Sequence, residues 1–134
     1  VTVNQTIRPF LMFQAQDAEA AMTFYVSLFP DSEILDIQRY GAAGPGPEGT
    51  LILARFRIGG QEVLCSDSFV KHAFAFTPSS SLFVDCASED EITRLTAVLA
   101  DGGGVLMPLG DYGFSKRFAW VNDRFGVSWQ LNLA

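Results

Sequence analysis

Histidine occurs once in these 134 residues and cysteine twice, which leaves little from which to build a metal centre or a covalent catalyst. Cys65 and Cys86 both sit in apolar, strand-like runs. Two such thiols make no disulfide framework and are expected to be buried and reduced. A cysteine nucleophile needs an oriented base, and nothing in the sequence orients His72, the single histidine. Basic residues are also scarce, nine Lys and Arg against fifteen Asp and Glu, for a net charge of −6. That balance argues against a phosphate-tracking surface, so neither nucleic acid nor an anionic membrane is expected as a partner. No apolar run approaches the roughly twenty residues needed to span a bilayer. No secretory signal is read ahead of the first strand, and a cytoplasmic location is expected. Without such a signal the Asn4-Gln5-Thr6 sequon carries little meaning.

What the chain has is apolar mass. It is 49% hydrophobic and contains twelve phenylalanines, enough for one folded domain spanning residues 1–134. Ile7 to Phe13 reads as a strand. Asp17 caps a helix with Ala21, Phe24, Tyr25 and Leu28 on one stripe. Strands follow over Glu33 to Tyr40, Thr50 to Ile58 and Gln61 to Ser66, the last two joined at Gly59-Gly60. The order then repeats. Ser81 to Cys86 is a strand, and Ser88-Glu-Asp-Glu91 opens a helix as a capping box, with Ile92, Leu95 and Leu99 facing inward. Asp101-Gly-Gly-Gly104 stops it. Val105 to Met107, Phe114 to Asn122 and Val127 to Leu133 complete the second set of strands.

This is an internal repeat: two tandem βαβββ modules, about residues 7–67 and 81–133, joined by a linker over 68–80. The fold class is α+β. Each module has one amphipathic helix to cover one face of a sheet. Paired side by side, the modules are expected to form an incomplete barrel with a cleft as the natural ligand site.

Two glycine-rich stretches are decoys. Gly44-Pro-Gly-Pro-Glu-Gly49 satisfies the dinucleotide spacing, but Thr50 to Ala54 continues as a strand where a helix is required. Gly102 to Gly104 lacks the Lys-Ser/Thr of a phosphate loop. No cofactor is expected.

The closing segment carries the most specific pattern. Asp123-Arg-Phe-Gly126 makes a tight turn into a strand on which Ser128, Gln130 and Asn132 alternate with Val127, Trp129 and Leu131. A polar face backed by a buried tryptophan reads as the wall of a ligand cavity.

Together with the repeat and the Asp17-Ala-Glu-Ala-Ala-Met-Thr-Phe-Tyr25 helix, this segment resembles the vicinal oxygen chelate superfamily, which includes glyoxalase I, bleomycin-resistance proteins and extradiol dioxygenases. Pro9 to Phe13, Phe74 to Thr77, Ser81 to Val84 and Phe125 to Gln130 are similar to its PhnB-like branch, which often carries the label 3-demethylubiquinone-9 3-methyltransferase. The chain shows no glycine-rich strand-to-helix turn of the kind a methyltransferase using S-adenosylmethionine needs, so methyl transfer is not expected.

The resemblance also implies four cleft-facing positions that hold a metal in superfamily enzymes. Here they fall on Phe10, the Cys65 to Asp67 stretch, Ser81 and Gln130. Phenylalanine cannot ligate and serine is a poor neutral ligand, so no metal is expected. Alternation from Phe10 adds Met12 and Gln14 to the inward face, and alternation from Ser81 adds Phe83. With Ser128, Gln130 and Asn132 these form an apolar floor carrying amides, and Trp120, Phe118 and Tyr112 offer stacking surface. Asp67 and His72 flank the linker as the one acid–base pair near the cleft.

The leading expectation is a metal-free protein that binds a small amphipathic or aromatic molecule, in a role similar to bleomycin resistance. Two alternatives stand beside it. One is an enzyme of the same superfamily, metal-dependent and lyase- or dioxygenase-like, or working through Asp67 and His72. The other is a structural dimer with a vestigial cleft. The resemblance implies a homodimer.

Overall fold

A computed structural model describes residues 5–134; Asn4 of the sequon lies outside them. Two units are compact in themselves, one running to Ala73 and the other from Phe74 to Ala134.

The first unit comprises β1 (Phe10–Phe13), α1 (Ala18–Leu28), β2 (Glu33–Arg39), β3 (Leu51–Ile58) and β4 (Gln61–Asp67). Its open sheet has the order β1-β4-β3-β2, with β1 parallel to β4 and the other neighbours antiparallel. β1 is shorter than the apolar run from Ile7 predicts. Pro9 has no N–H for a ladder, though its carbonyl still accepts from Leu64 N at 2.9 Å, so regular pairing starts one residue later.

α1 packs on β2, β3 and β4 through Ala18, Ala21, Met22, Tyr25 and Leu28. Met22 takes the place expected for Phe24, which lies at the edge of the stripe, half-buried against Tyr25. Beneath the helix, Ala54, Phe56, Val63 and Cys65 are wholly buried. Alternation sends their neighbours Leu64 and Ser66 to the opposite face, paired in register with Phe10 and Met12.

The second unit repeats the plan with β5 (Ser81–Asp85), α2 (Glu89–Ala100), β6 (Gly104–Gly110), β7 (Arg117–Asn122) and β8 (Ser128–Leu133). The order is β5-β8-β7-β6, again an open sheet with its first strand in a parallel pair. Ser88 Oγ accepts from Glu91 N at 3.1 Å, and Glu91 Oε1 accepts from Ala87 N at 3.4 Å, so the reciprocal bond of the box reaches one residue further back. Ile92, Leu95 and Leu99 pack α2 onto the face carrying Ala119, Val121, Trp129 and Leu131, all of them buried.

β6 is longer than its sequence predicts and contains Pro108; its register with β7 shifts twice. A proline is tolerable there because β6 is the edge strand. β7 begins later than predicted, at Arg117, because Gly113 (φ +95°) turns the chain before it. Among the described residues no helix is long and apolar enough to cross a membrane.

Candidate functional site

The face of the second sheet opposite α2 collects most of the expected ligand contacts. In register across β5, β8 and β7, Ser81 stands beside Ser128, and Gln130 lies between Phe83 and Trp120. All five side chains share that face through period-2 alternation.

The polar atoms at one end are already satisfied. Trp120 Nε1 donates to Ser128 Oγ at 2.8 Å, and Ser128 Oγ lies 2.8 Å from Ser81 Oγ. Ser81 in turn approaches the carbonyl of Pro78 at 3.4 Å. A run of hydroxyls each giving one hydrogen and taking another is thereby closed. Asn132 Nδ2 donates to Asp85 Oδ1 at 3.3 Å. Gln130 differs: it is half-buried, flanked by two aromatic side chains, and its amide has no hydrogen-bond partner among the described residues.

Beside it lies an aromatic cluster. The rings of Tyr112 and Phe114 are near-parallel, 15° apart in plane with centroids at 6.3 Å. Phe118 stands edge-on to both, at 6.3 Å from Tyr112 and 5.0 Å from Phe114. Phe83 joins from β5 at 6.4 Å from Phe118. Phe118 is buried as the floor, whereas Phe83, Tyr112 and Phe114 are 55%, 41% and 64% exposed. Tyr112 and Phe118 were legible as stacking surface. Phe114 was hidden because the sequence assigns it to a strand. Its signal is the Tyr-Gly-Phe spacing, in which a left-handed glycine lets two rings face each other.

In the first unit Phe10 and Met12 share the face opposite α1, Phe10 being 52% exposed. On that face Arg8 and Arg55 both pair with Glu62, at 2.6 and 3.1 Å. The hydrogen bond from Arg8, helped by the charges of both arginines, holds the Glu62 carboxyl below the usual range despite desolvation. Gln14 lies past the end of β1; its Oε1 accepts from His72 N at 2.7 Å and ties the linker to the sheet.

Asp67 points to the helix side, in line with Cys65. It is 6% exposed, and its oxygens accept from Ala18 N at 3.0 Å and Leu51 N at 2.8 Å. Asp17 occupies the N-cap position of α1 but makes no side-chain cap. A carboxylate 49 residues further on thus satisfies the helix start. His72 Nε2 lies 3.3 Å from Ser68 Oγ.

Sequence reading missed the equivalent group in the second unit. Asp123, 2% exposed, accepts from Phe125 N and Val127 N through Oδ1 and from Trp129 Nε1 through Oδ2. The available signal was an aspartate opening a turn two residues before a backbone N–H, the Asx-turn pattern.

The thiols are buried and free. Desolvation, with a smaller contribution from the Asp67 charge, pushes Cys65 up to about 12. Cys86 is pushed up to about 11, by burial first and then by Glu91. Neither is a nucleophile near neutral pH.

The superfamily metal positions are a poor donor set. Phe10 has no donor atom, the Ser81 hydroxyl is engaged by Ser128, and Cys65 and Asp67 lie on the helix side of their sheet. What remains is the amide of Gln130 and the hydroxyl of Ser66, the member of the Cys65 to Asp67 stretch on the opposite face. Among the described residues no three His, Cys, Asp or Glu side chains are grouped so as to hold a metal ion.

Comparison with known proteins agrees with the repeat. The chain is similar to a solved PhnB protein of Bacillus cereus that bears the 3-demethylubiquinone-9 3-methyltransferase name. They share 56% identity with a TM-score of 0.93, over 97% of this chain and 100% of that one. An uncharacterized protein of Mycobacterium bovis is 28% identical over 98% of this chain and 84% of its own length. A glyoxylase/bleomycin resistance protein/dioxygenase domain from Frankia matches at 15% identity and a TM-score of 0.66, covering 99% of each chain. That likeness concerns the fold, which is the glyoxalase/bleomycin-resistance fold. The profile of the 3-demethylubiquinone-9 3-methyltransferase family matches residues 5–132, and the chain belongs to that family.

Proposed function

We propose that the protein binds a small amphipathic molecule with a planar, aromatic part, on the face of the second sheet opposite α2, without a metal ion. The observation that carries this reading is Gln130. Its amide has two donors and a carbonyl acceptor, no partner among the described residues, and aromatic neighbours on either side in Phe83 and Trp120. A half-buried amide gains most from a ligand that hydrogen-bonds it while covering its apolar surroundings. The exposed rings of Phe83, Tyr112 and Phe114 supply stacking surface for such a ligand.

Ser81 and Ser128 belong to this proposal because their linked hydroxyls fix the position of Trp120. The role is sequestration, similar to that of bleomycin-resistance proteins. The family name implies methyl transfer, but both strand-to-helix junctions, Gln14 to Asp17 and Cys86 to Ser88, lack the glycine that a nucleoside-cofactor turn needs. We also propose a homodimer, supported by the exposed Val105 and Leu106 on edge strand β6; sedimentation as a monomer at micromolar concentration contradicts it.

The test is a fluorescence titration of chelator-treated protein with a panel of planar aromatic amphiphiles. Binding should survive chelation and weaken about tenfold in Gln130→Ala, the loss of roughly 1.4 kcal/mol. Binding that needs an added divalent ion, or an unchanged affinity in the variant, overturns the reading.

A further inference from the structure

The first unit holds a cavity of about 190 Å³ next to the end of β1. A water claims about 30 Å³ of liquid volume, so the space suits a small metabolite. Apart from Pro47 and Phe69 its lining is polar and carries both signs of charge: the carboxylate of Asp67, the ammonium of Lys71, the amides of Gln14 and Gln16, and the hydroxyls of Thr50 and Ser68.

The two charges do not neutralise each other. Asp67 is committed to the amides of Ala18 and Leu51, one to each oxygen, and each oxygen keeps a further lone pair. Lys71 forms no ion pair among the described residues. A buried acid and a separate base on the walls of one small cavity match a ligand that carries both charges itself. A carboxylate alone would leave Asp67 facing an anion, and an amine alone would leave Lys71 facing a cation. Gln16 adds an amide from a backbone held at φ +60°, a left-handed conformation that a non-glycine residue adopts at a cost.

We propose that this cavity binds a small zwitterion of the amino-acid type, with its ammonium towards Asp67 and its carboxylate towards Lys71 and Gln16. The Thr50 hydroxyl, which donates to Pro47 O at 2.6 Å, keeps an acceptor position for a short polar side chain.

The experiment is ligand-observed NMR and calorimetry on the full chain with glycine, alanine and serine, against acetate and ethanolamine as single-charge controls. The amino acids should bind saturably and at least about tenfold more tightly than either control. Lys71→Met should remove that advantage, Lys71→Arg should restore most of it, and Gln130→Ala should leave it intact. Lys71 is exposed, so its variants should keep the wild-type melting temperature. No saturable amino-acid binding, controls that bind equally well, or an unaffected Lys71→Met variant would each overturn the proposal.

Discussion

The indole of Trp129 donates to Asp123 Oδ2 at 2.9 Å, and the two residues are 1% and 2% exposed. Through its other oxygen Asp123 also holds the N–H groups of Phe125 and Val127, at 2.8 and 3.1 Å. One carboxylate therefore shapes the turn into β8 and anchors the tryptophan that backs it. Because Trp129 lies between Ser128 and Gln130 in sequence, fixing it on the helix side sets how those two residues present on the opposite face. The proposed binding surface is positioned from behind.

Asp123→Ala strands three donors, two of them buried, and should cost about 3 kcal/mol or more. Trp129→Phe should cost less, because the ring is largely kept and one carboxylate oxygen loses its partner. In a double-mutant cycle by urea denaturation, the pair should show a coupling of about 1 kcal/mol or more. Strictly additive effects would mean that the bond contributes nothing.

Asp67 plays the matching part in the first unit. Asp67→Ala should destabilise by about 2–4 kcal/mol, since Ala18 N and Leu51 N both lose their acceptor. Hydrogen exchange offers the specific readout: the Ala18 and Leu51 amides should exchange faster while those of β6 to β8 are unchanged. Native protection at both amides in the variant would contradict this assignment.

The repeat was readable because hydrophobic periodicity and turn residues repeat in the same order twice, and because Ser88 with Glu91 marks a helix start in purely local terms. Asp67 was not readable in this way. Its two partners lie 49 and 16 residues away, and no local pattern announces a cap supplied from another strand. The same holds for Cys65 and Asp67 facing the helix side: a window of three residues fits the sequence, and only the pairing of β1 with β4 decides which of them turns away. The face containing Ser81, Phe83, Trp120, Ser128 and Gln130 follows from simple alternation, whereas the mutual engagement of Ser81, Ser128 and Trp120 depends on register between three strands.

Gly103 is required by a close backbone approach. A Cβ there would lie 2.0 Å from the carbonyl oxygen of Asn122, whereas one at Gly104 would meet nothing within 4 Å. Gly103→Ala should therefore lower stability by about 3 kcal/mol or more, or prevent folding. Gly104→Ala should be tolerated within about 1 kcal/mol. Equal melting temperatures for the two variants would refute the distinction.

The thiols make a pH-dependent contribution. Folding raises Cys65 and Cys86 from 9.0 to about 12 and about 11, so the folded state binds their protons more tightly than the unfolded state. Their contribution is complete below about pH 9 and is lost as pH rises through 11 to 12. Cys65→Ser should flatten that alkaline limb in urea titrations. At pH 8 a disulfide reagent should leave both thiols of the native protein unmodified and titrate both in denaturant; rapid native labelling would contradict the burial.

The most direct test of the proposed function is the side-chain amide of Gln130, followed in a ¹H–¹⁵N NMR spectrum during titration with an aromatic amphiphile that binds in the fluorescence assay. The account predicts that the Gln130 NH₂ pair and the backbone amides of Phe83, Trp120 and Ser128 shift together and saturate at one common affinity, in the presence of a chelator. Shifts confined to other residues, or a Gln130 amide that does not move at saturation, would contradict it.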